Sequence, residues 1–217
     1  MKPTKFTNIR WSPDLAYAIG LIVADGNLSK DGRHINFTSK DLDLALTFKS
    51  VLNLDNKISL KTRGGETDKK YHFVQFGSVK LYQFLLKIGL MPNKSKIIKD
   101  INIPKKYYSH FLRGHFDGDG SFYSYFDKRW KSSFLFYVVF MSASKQHILW
   151  LREMNNKLYS VTGHIAKNKN SSVYQLRYGK REGLILLRVI YLDARENFLK
   201  RKLLKIRLAL DIIGESL

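Results

Sequence analysis

The sequence predicts an α+β protein built from two units with one order of elements, α-β-β-α-β-β-α. Helix signals and strand signals alternate along the first half, and the same set returns in the second. Matched features keep nearly constant separations: 94 residues from Asp25 to Asp119, 105 from Lys40 to Lys145 and 102 from Gly77 to Gly179. Agreement across unrelated residue types marks an internal duplication.

Each element has its own reason. Residues 13–24, "PDLAYAIGLIVA", read as a helix with Ser12 as N-cap, Pro13 at the first helical position and Gly26 just past the end. Residues 104–118 repeat the plan, opened by Pro104 and closed by Gly120. "HINFTS" (34–39) alternates polar with apolar, and "FLFYVVFMSAS" (134–144) is a long β-rich run. Each ends in Ser-Lys and passes into an amphipathic helix, "DLDLALTFKSVLNL" or "QHILWLREMNNKLYS". Two further strands and a helix follow: "KISLKT", "YHFVQFG" and "VKLYQFLLKIGL" in the first half, "GHIAKNK", "SVYQLRYG" and "REGLILLRVIYL" in the second. This divides the chain into a first unit over 1–90, a linker over 91–103 and a second unit over 104–217 that closes with a basic helix.

The 217 residues hold 38 Lys and Arg against 18 Asp and Glu, a formal charge of +20 and a pI near 10.0. Both halves are cationic, +8 over residues 1–104 and +12 over 105–217, so the excess is not a tail. A chain that is 44% hydrophobic and 13% aromatic builds a core, which excludes a disordered polycation. The charge calls for a polyanionic partner, with nucleic acid first. Absence of cysteine excludes disulfides, thiolate zinc sites and thiol nucleophiles, and fits an intracellular setting. The longest apolar stretches, 15–24 and 134–141, are too short to span a bilayer as helices, so no membrane partner or export signal is expected.

Against this charge, "HFDGDGSF" (115–122) gathers two carboxylates and two glycines. Ala16, Gly20 and Ala24 lie four apart on one face of the first opening helix, and Gly114 and Gly118 do the same on the second. A helical glycine costs about 1 kcal/mol relative to Ala, so something must press on that face, and the other opening helix is the natural candidate. Packed side by side, the helices bring together two C-terminal ends, each with an Asp before a Gly: Asp25-Gly26 and Asp119-Gly120. A carboxylate there meets the negative end of the macrodipole and unpaired carbonyls, an arrangement that divalent cations relieve. Oxygen-only donors suit magnesium. A metal between such carboxylates and a phosphate can activate water, so phosphodiester hydrolysis follows as the reaction class. The calcium-loop alternative fails, because Phe122 stands where an EF-hand needs Gly and Lys128 where it needs a bidentate Glu.

"AIGLIVADG" (18–26) and "LRGHFDGDG" (112–120) resemble the two signature helices of the LAGLIDADG family of homing endonucleases in its single-chain form, over nearly the whole chain. The resemblance implies a monomer with a saddle of antiparallel sheets on double-stranded DNA, the two motif helices packed at the unit interface, and magnesium-dependent double-strand cleavage with two or three ions. It makes Asp25 and Asp119 the catalytic metal ligands, assisted by the carbonyls of Ala24 and Gly118. At the sixth motif position the consensus acid is Val23 in one copy and Asp117 in the other, and Asp117 reads as structural. Lys40 and Lys145 each read singly as solvated lysines; recurring together, they look like the family's basic active-site residues. Ser39 and Ser144 beside them read as helix caps. The resemblance also leaves intron RNA as a partner, through maturase activity, and a non-catalytic nucleic-acid-binding role as alternatives.

Strand alternation sorts the DNA-facing side chains. With Ile35 and Phe37 inward, His34, Asn36 and Thr38 face out; with Ile58 and Leu60 inward, Ser59, Lys61 and Arg63 do; Gln75, and later Gln175 and Arg177, complete the row. Arg, Gln and Asn make bidentate contacts with base edges. Lys69, Lys70, Lys128 and Lys131 in loops suit phosphates. The run 134–141 is apolar on both parities and is not assigned a face.

Overall fold

The computed structural model describes residues 6–63, 66–130, 132–167, 171–194 and 197–217, the side chains of 63 and 66–69 excepted. Elements follow the expected order. Helix α1 (Pro13–Asp25) leads to strands β1 (Gly26–Leu28) and β2 (His34–Ser39), α2 (Leu42–Val51), β3 (Ser59–Arg63), β4 (Glu66–Gly77) and α3 (Val79–Lys87). The second set is α4 (Tyr108–Asp119), β5 (Ser121–Phe126), β6 (Phe134–Ser142), α5 (Lys145–Tyr159), β7 (His164–Lys167), β8 (Tyr174–Tyr178), α6 (Lys180–Tyr191) and α7 (Lys200–Asp211). The antiparallel sheets have matching orders, β1-β2-β4-β3 and β5-β6-β8-β7. No described helix is long and apolar enough to cross a membrane.

Helix starts follow local chemistry. Ser12 accepts a hydrogen bond from Leu15 N–H, Ser78 from Leu81 N–H and Ser144 from His147 N–H, each satisfying a first-turn donor. Ser144 is thus the cap of α5, whereas Ser39 accepts from Asp41 N–H one residue ahead of the α2 boundary. The second opening helix starts later than expected: Pro104 leads a 3-10 turn over Lys105–Tyr107, and the α-helix begins at Tyr108.

In the first unit Ile35, Phe37, Val74 and Phe76 point into a core against Leu44, Ala45 and Phe48 of α2. The rings of Phe37 and Phe48 stack 4.6 Å apart. In the second, Phe136, Val138, Phe140, Leu176 and Tyr178 form the equivalent layer with Ile148 and Leu151 of α5.

By packing, the chain divides into one unit of residues 1–94 and 101–118 and another of 95–100 and 119–217. This differs from the division at 90 and 104. Helix α4 up to Gly118 groups with the first unit because its backbone lies directly against α1.

Candidate nuclease site

The α1–α4 contact is built on glycines. A Cβ on Gly20 would collide with the Phe111 carbonyl oxygen and stand 2.6 Å from His115 N; one on Gly114 would collide with the Tyr17 carbonyl oxygen. Each collision is with backbone, which cannot swing aside. Around it lie buried polar groups. Tyr17 OH donates to Asp117 Oδ2 over 2.9 Å, and the Arg113 guanidinium, 2% exposed, lies 5.3 Å from the centre of the Tyr17 ring and 3.2 Å from His110 Nδ1. Asp117 is itself 1% exposed.

At the C-terminal end the helices are still touching. A Cβ on Gly118 would collide with the Cβ of Ala24 and lie 3.9 Å from Asp25 Oδ2. Asp25 ends α1, half-exposed; Asp119, also half-exposed, is the next residue after Gly118 and ends α4. The donors offered here are carboxylates and main-chain carbonyls, hard oxygens that fit magnesium. Among the described residues no three His, Cys, Asp or Glu side chains cluster to hold an ion by themselves. Magnesium takes few protein ligands and keeps several waters, so a small oxygen donor set suits it.

Two lysines that sequence reasoning missed stand beside the motif. Lys94, 5% exposed, donates from Nζ to the carbonyl of Gly26 over 2.6 Å; Lys202, 7% exposed, donates to the carbonyl of Gly120 over 2.8 Å. Gly26 and Gly120 are the residues directly after Asp25 and Asp119. Each unit thus buries an ammonium against the same motif carbonyl, delivered by a 3-10 turn (Lys94–Lys96) in one and by α7 in the other. A lysine is almost never buried without a partner. No local sequence signal sets these two apart from the other cations; only their recurrence after the last helix of each repeat hints at them. By contrast Lys40 and Lys145 are exposed, the first 5.6 Å from the centre of the Tyr71 ring and the second at the first turn of α5.

Of the row expected to face DNA, His34, Asn36, Thr38 and Gln75 share the face opposite the first core, with Asn36 paired to Gln75 across β2 and β4. Ser59 and Lys61 join it by register, and Lys61 Nζ lies 5.0 Å from the Phe73 ring centre. Leu60 keeps the expected inward parity, opposite His72, but it is 58% exposed rather than buried, because β3 is the sheet edge. The register shifts between Thr62 and Arg63, so alternation does not carry to Arg63. Its side chain and that of Lys69 lie outside the described residues, as does Lys131; Lys70 and Lys128 are exposed. Gln175 and Arg177 face away from the second core, the Gln175 Oε1 accepting from Arg177 Nε over 2.9 Å.

Residues 12–89 match the family model described as a LAGLIDADG-like domain. An uncharacterised protein of Methanocaldococcus jannaschii is 33% identical over 127 residues, 54% of this chain and 42% of that protein, so the chain spans less than half of this relative. The homing endonuclease I-WcaI bound to its DNA recognition sequence has the same fold (TM-score 0.62, 16% identity, 93% of this chain and 89% of that one). So does full-length DUF199/WhiA from Thermatoga maritima (TM-score 0.58, 16% identity, 98% and 65%). The homing endonuclease I-DmoI in complex with DNA and calcium is similar as well (TM-score 0.54, 18% identity, 82% and 88%).

Proposed function

We propose that this chain, whose residues 12–89 match a LAGLIDADG-like domain and whose fold is shared with homing endonucleases, is a site-specific DNA endonuclease making magnesium-dependent double-strand breaks. One observation carries the reading: two glycine-faced helices in backbone contact, with the Asp25 carboxylate beside Gly118 and Asp119 next in the chain. A divalent cation bound there supplies charge stabilisation to the phosphate and lowers the pKa of a bound water. Asp25 and Asp119, with the carbonyls of Ala24 and Gly118, hold it. Lys94 and Lys202, rather than Lys40 and Lys145, supply fixed positive charge next to each acid, where the phosphoryl oxygens gain charge in the transition state. Burial in place means they need not reorganise as the reaction proceeds.

The open sheet faces with His34, Asn36, Thr38, Ser59, Lys61, Gln75, Gln175 and Arg177 contact bases, while Lys70 and Lys128 contact phosphates. Each phosphate neutralised lowers the logarithm of affinity by about 0.9 per tenfold rise in salt.

The test is incubation with a plasmid library of candidate sites, with magnesium or with a chelator. Discrete double-strand cuts are expected with magnesium alone, lost in Asp25→Asn and in Asp119→Asn while binding persists. Cutting that survives both substitutions would overturn the site. Binding or splicing assistance without any cut would favour a binding protein or a maturase on this scaffold.

A further inference from the structure

The apolar doubling of residues 134–141 has a structural counterpart that the nuclease site does not use. On the open face of the second sheet Tyr123 lies opposite Tyr137, and Tyr125 opposite Leu135. The three phenol rings stack nearly parallel, 5.2 to 6.5 Å apart and within 21° of one another. Tyr125 is 43% exposed. The rings, with His164, Arg177 and Glu182, border an open depression of about 550 Å3. The rim acid Glu182 is already engaged by the N–H groups of Thr162 and Gly163. Burial, ahead of a hydrogen bond with Tyr137, raises the Tyr125 phenol above its ordinary value, so this residue stays uncharged at neutral pH.

The surroundings identify what covers this apolar face. Exposed Lys128 and Arg129 flank it at the β5–β6 turn, and the whole chain carries +20, so the occupant is a polyanion that also presents apolar groups. Duplex DNA offers such groups in the major groove as the C5-methyls of thymine. We propose that the Tyr123–Tyr125–Tyr137 cluster is a thymine-reading surface, so that the half of the target meeting the second unit carries thymines selected by contact between their methyls and the tyrosine rings. This rests on the DNA-binding reading above.

The experiment is selection of binding sites from random duplex DNA by the full chain in chelator, followed by affinity measurement on the selected site. One half is expected to be thymine-enriched. Replacing its thymines with deoxyuridine, which removes only the methyl, lowers affinity about fourfold for each contacted base; the same replacement in the other half leaves affinity unchanged. Tyr125→Ser and Tyr137→His bring the thymine-to-deoxyuridine ratio toward one. The substituted DNA tests the wild-type protein directly, so the outcome does not depend on the variants folding. Specific binding that is insensitive to deoxyuridine in both halves overturns this inference alone. Failure to select any site, or tighter tyrosine-dependent binding of single-stranded RNA, overturns it together with the DNA reading.

Discussion

In the first unit Asp31 accepts the N–H groups of Arg33 and His34 and pairs with the His34 imidazole, fixing the turn between β1 and β2. The 94-residue offset of the motif acids carries Asp31 onto Tyr125, and the sheet register, counted from Gly77 and Gly179, carries His34 onto Tyr137. By the same register Asn36 corresponds to Val139, Thr38 to Met141 and Gln75 to Arg177. Apart from Gln75 and Arg177, which are polar in both copies, these equivalent positions hold charged, amide or hydroxyl groups in the first copy and phenols or aliphatics in the second. The buried features did not diverge in this way: both copies keep an Asp-Gly helix end and an ammonium on the carbonyl that follows it. The motif arrangement is duplicated, and the two open sheet faces are unlike.

The largest expected effect tests the duplicated part. Lys94→Met and Lys202→Met keep the apolar stem and remove the cation, and each is expected to lower the cleavage rate about 10²- to 10³-fold, the scale of a lost preorganised charge donor. Lys40→Met and Lys145→Met, at exposed positions, are expected to leave the rate within about threefold. Single-turnover cleavage on one substrate compares all four. A large drop at Lys94 with none at Lys202 would break the symmetry and reduce Lys202 to a structural role.

Next in size is a contrast between glycines. Gly114→Ala drives a methyl into the Tyr17 carbonyl, and the expected cost is about 3 kcal/mol, a fall in Tm of roughly 6–12 °C. Gly183→Ala in the second unit meets the side chains of Phe136 at 3.1 Å and Val138 at 3.2 Å, which can shift. About 1 kcal/mol or less is expected there. Thermal denaturation of both variants decides whether the first unit is the more tightly locked.

A third measurement separates the faces. Gln75→Ala removes an exposed amide from the first sheet and is expected to relax preference at one base pair at a cost of about 1–3 kcal/mol. Lys128→Ala is expected to weaken binding to all sequences and reduce the salt slope by about 0.9. A Gln75→Ala effect spread evenly over sequences would place that side chain on the phosphates.

These contrasts follow what could be read before the fold was known. The order of elements, the caps Ser12 and Ser144 and the alternation of "HINFTS" are legible in the sequence and appear as expected, whereas Ser39 does not cap α2 and Pro104 opens a 3-10 turn ahead of α4. Lys94 and Lys202 are not local: each is adjacent to its glycine only after 68 or 82 residues have folded. Leu60 keeps its inward parity yet is exposed, because alternation carries no information on whether a strand lies at a sheet edge. The run 134–141 shows no parity because Leu135, Tyr137, Val139 and Met141 on its outer side are apolar or aromatic like the core-facing Phe136, Val138 and Phe140. Sequence periodicity reports the core when the other face is polar, and it fails where a second apolar surface is present.

The smallest effect returns to Asp31 and Tyr125. Hydrogen bonds from the His34 and Arg33 backbone and from the His34 ring hold the Asp31 carboxyl well below the usual carboxylate range. A carboxyl with a depressed folded pKa contributes stability in full above its unfolded value of about 3.9, and loses it as pH falls toward the folded value. Asp31→Asn removes that contribution, so wild type and variant are expected to differ in Tm by a constant small amount, about 1 °C, from neutral pH down to about pH 4 and to converge below it. Tyr125→Phe in the second unit titrates nothing in this range, so its difference from wild type is expected to stay flat through acid. If the Asp31→Asn difference also stayed flat below pH 4, the turn would owe its shape to the backbone, and the two equivalent positions would be alike in energetics even though they differ in chemistry.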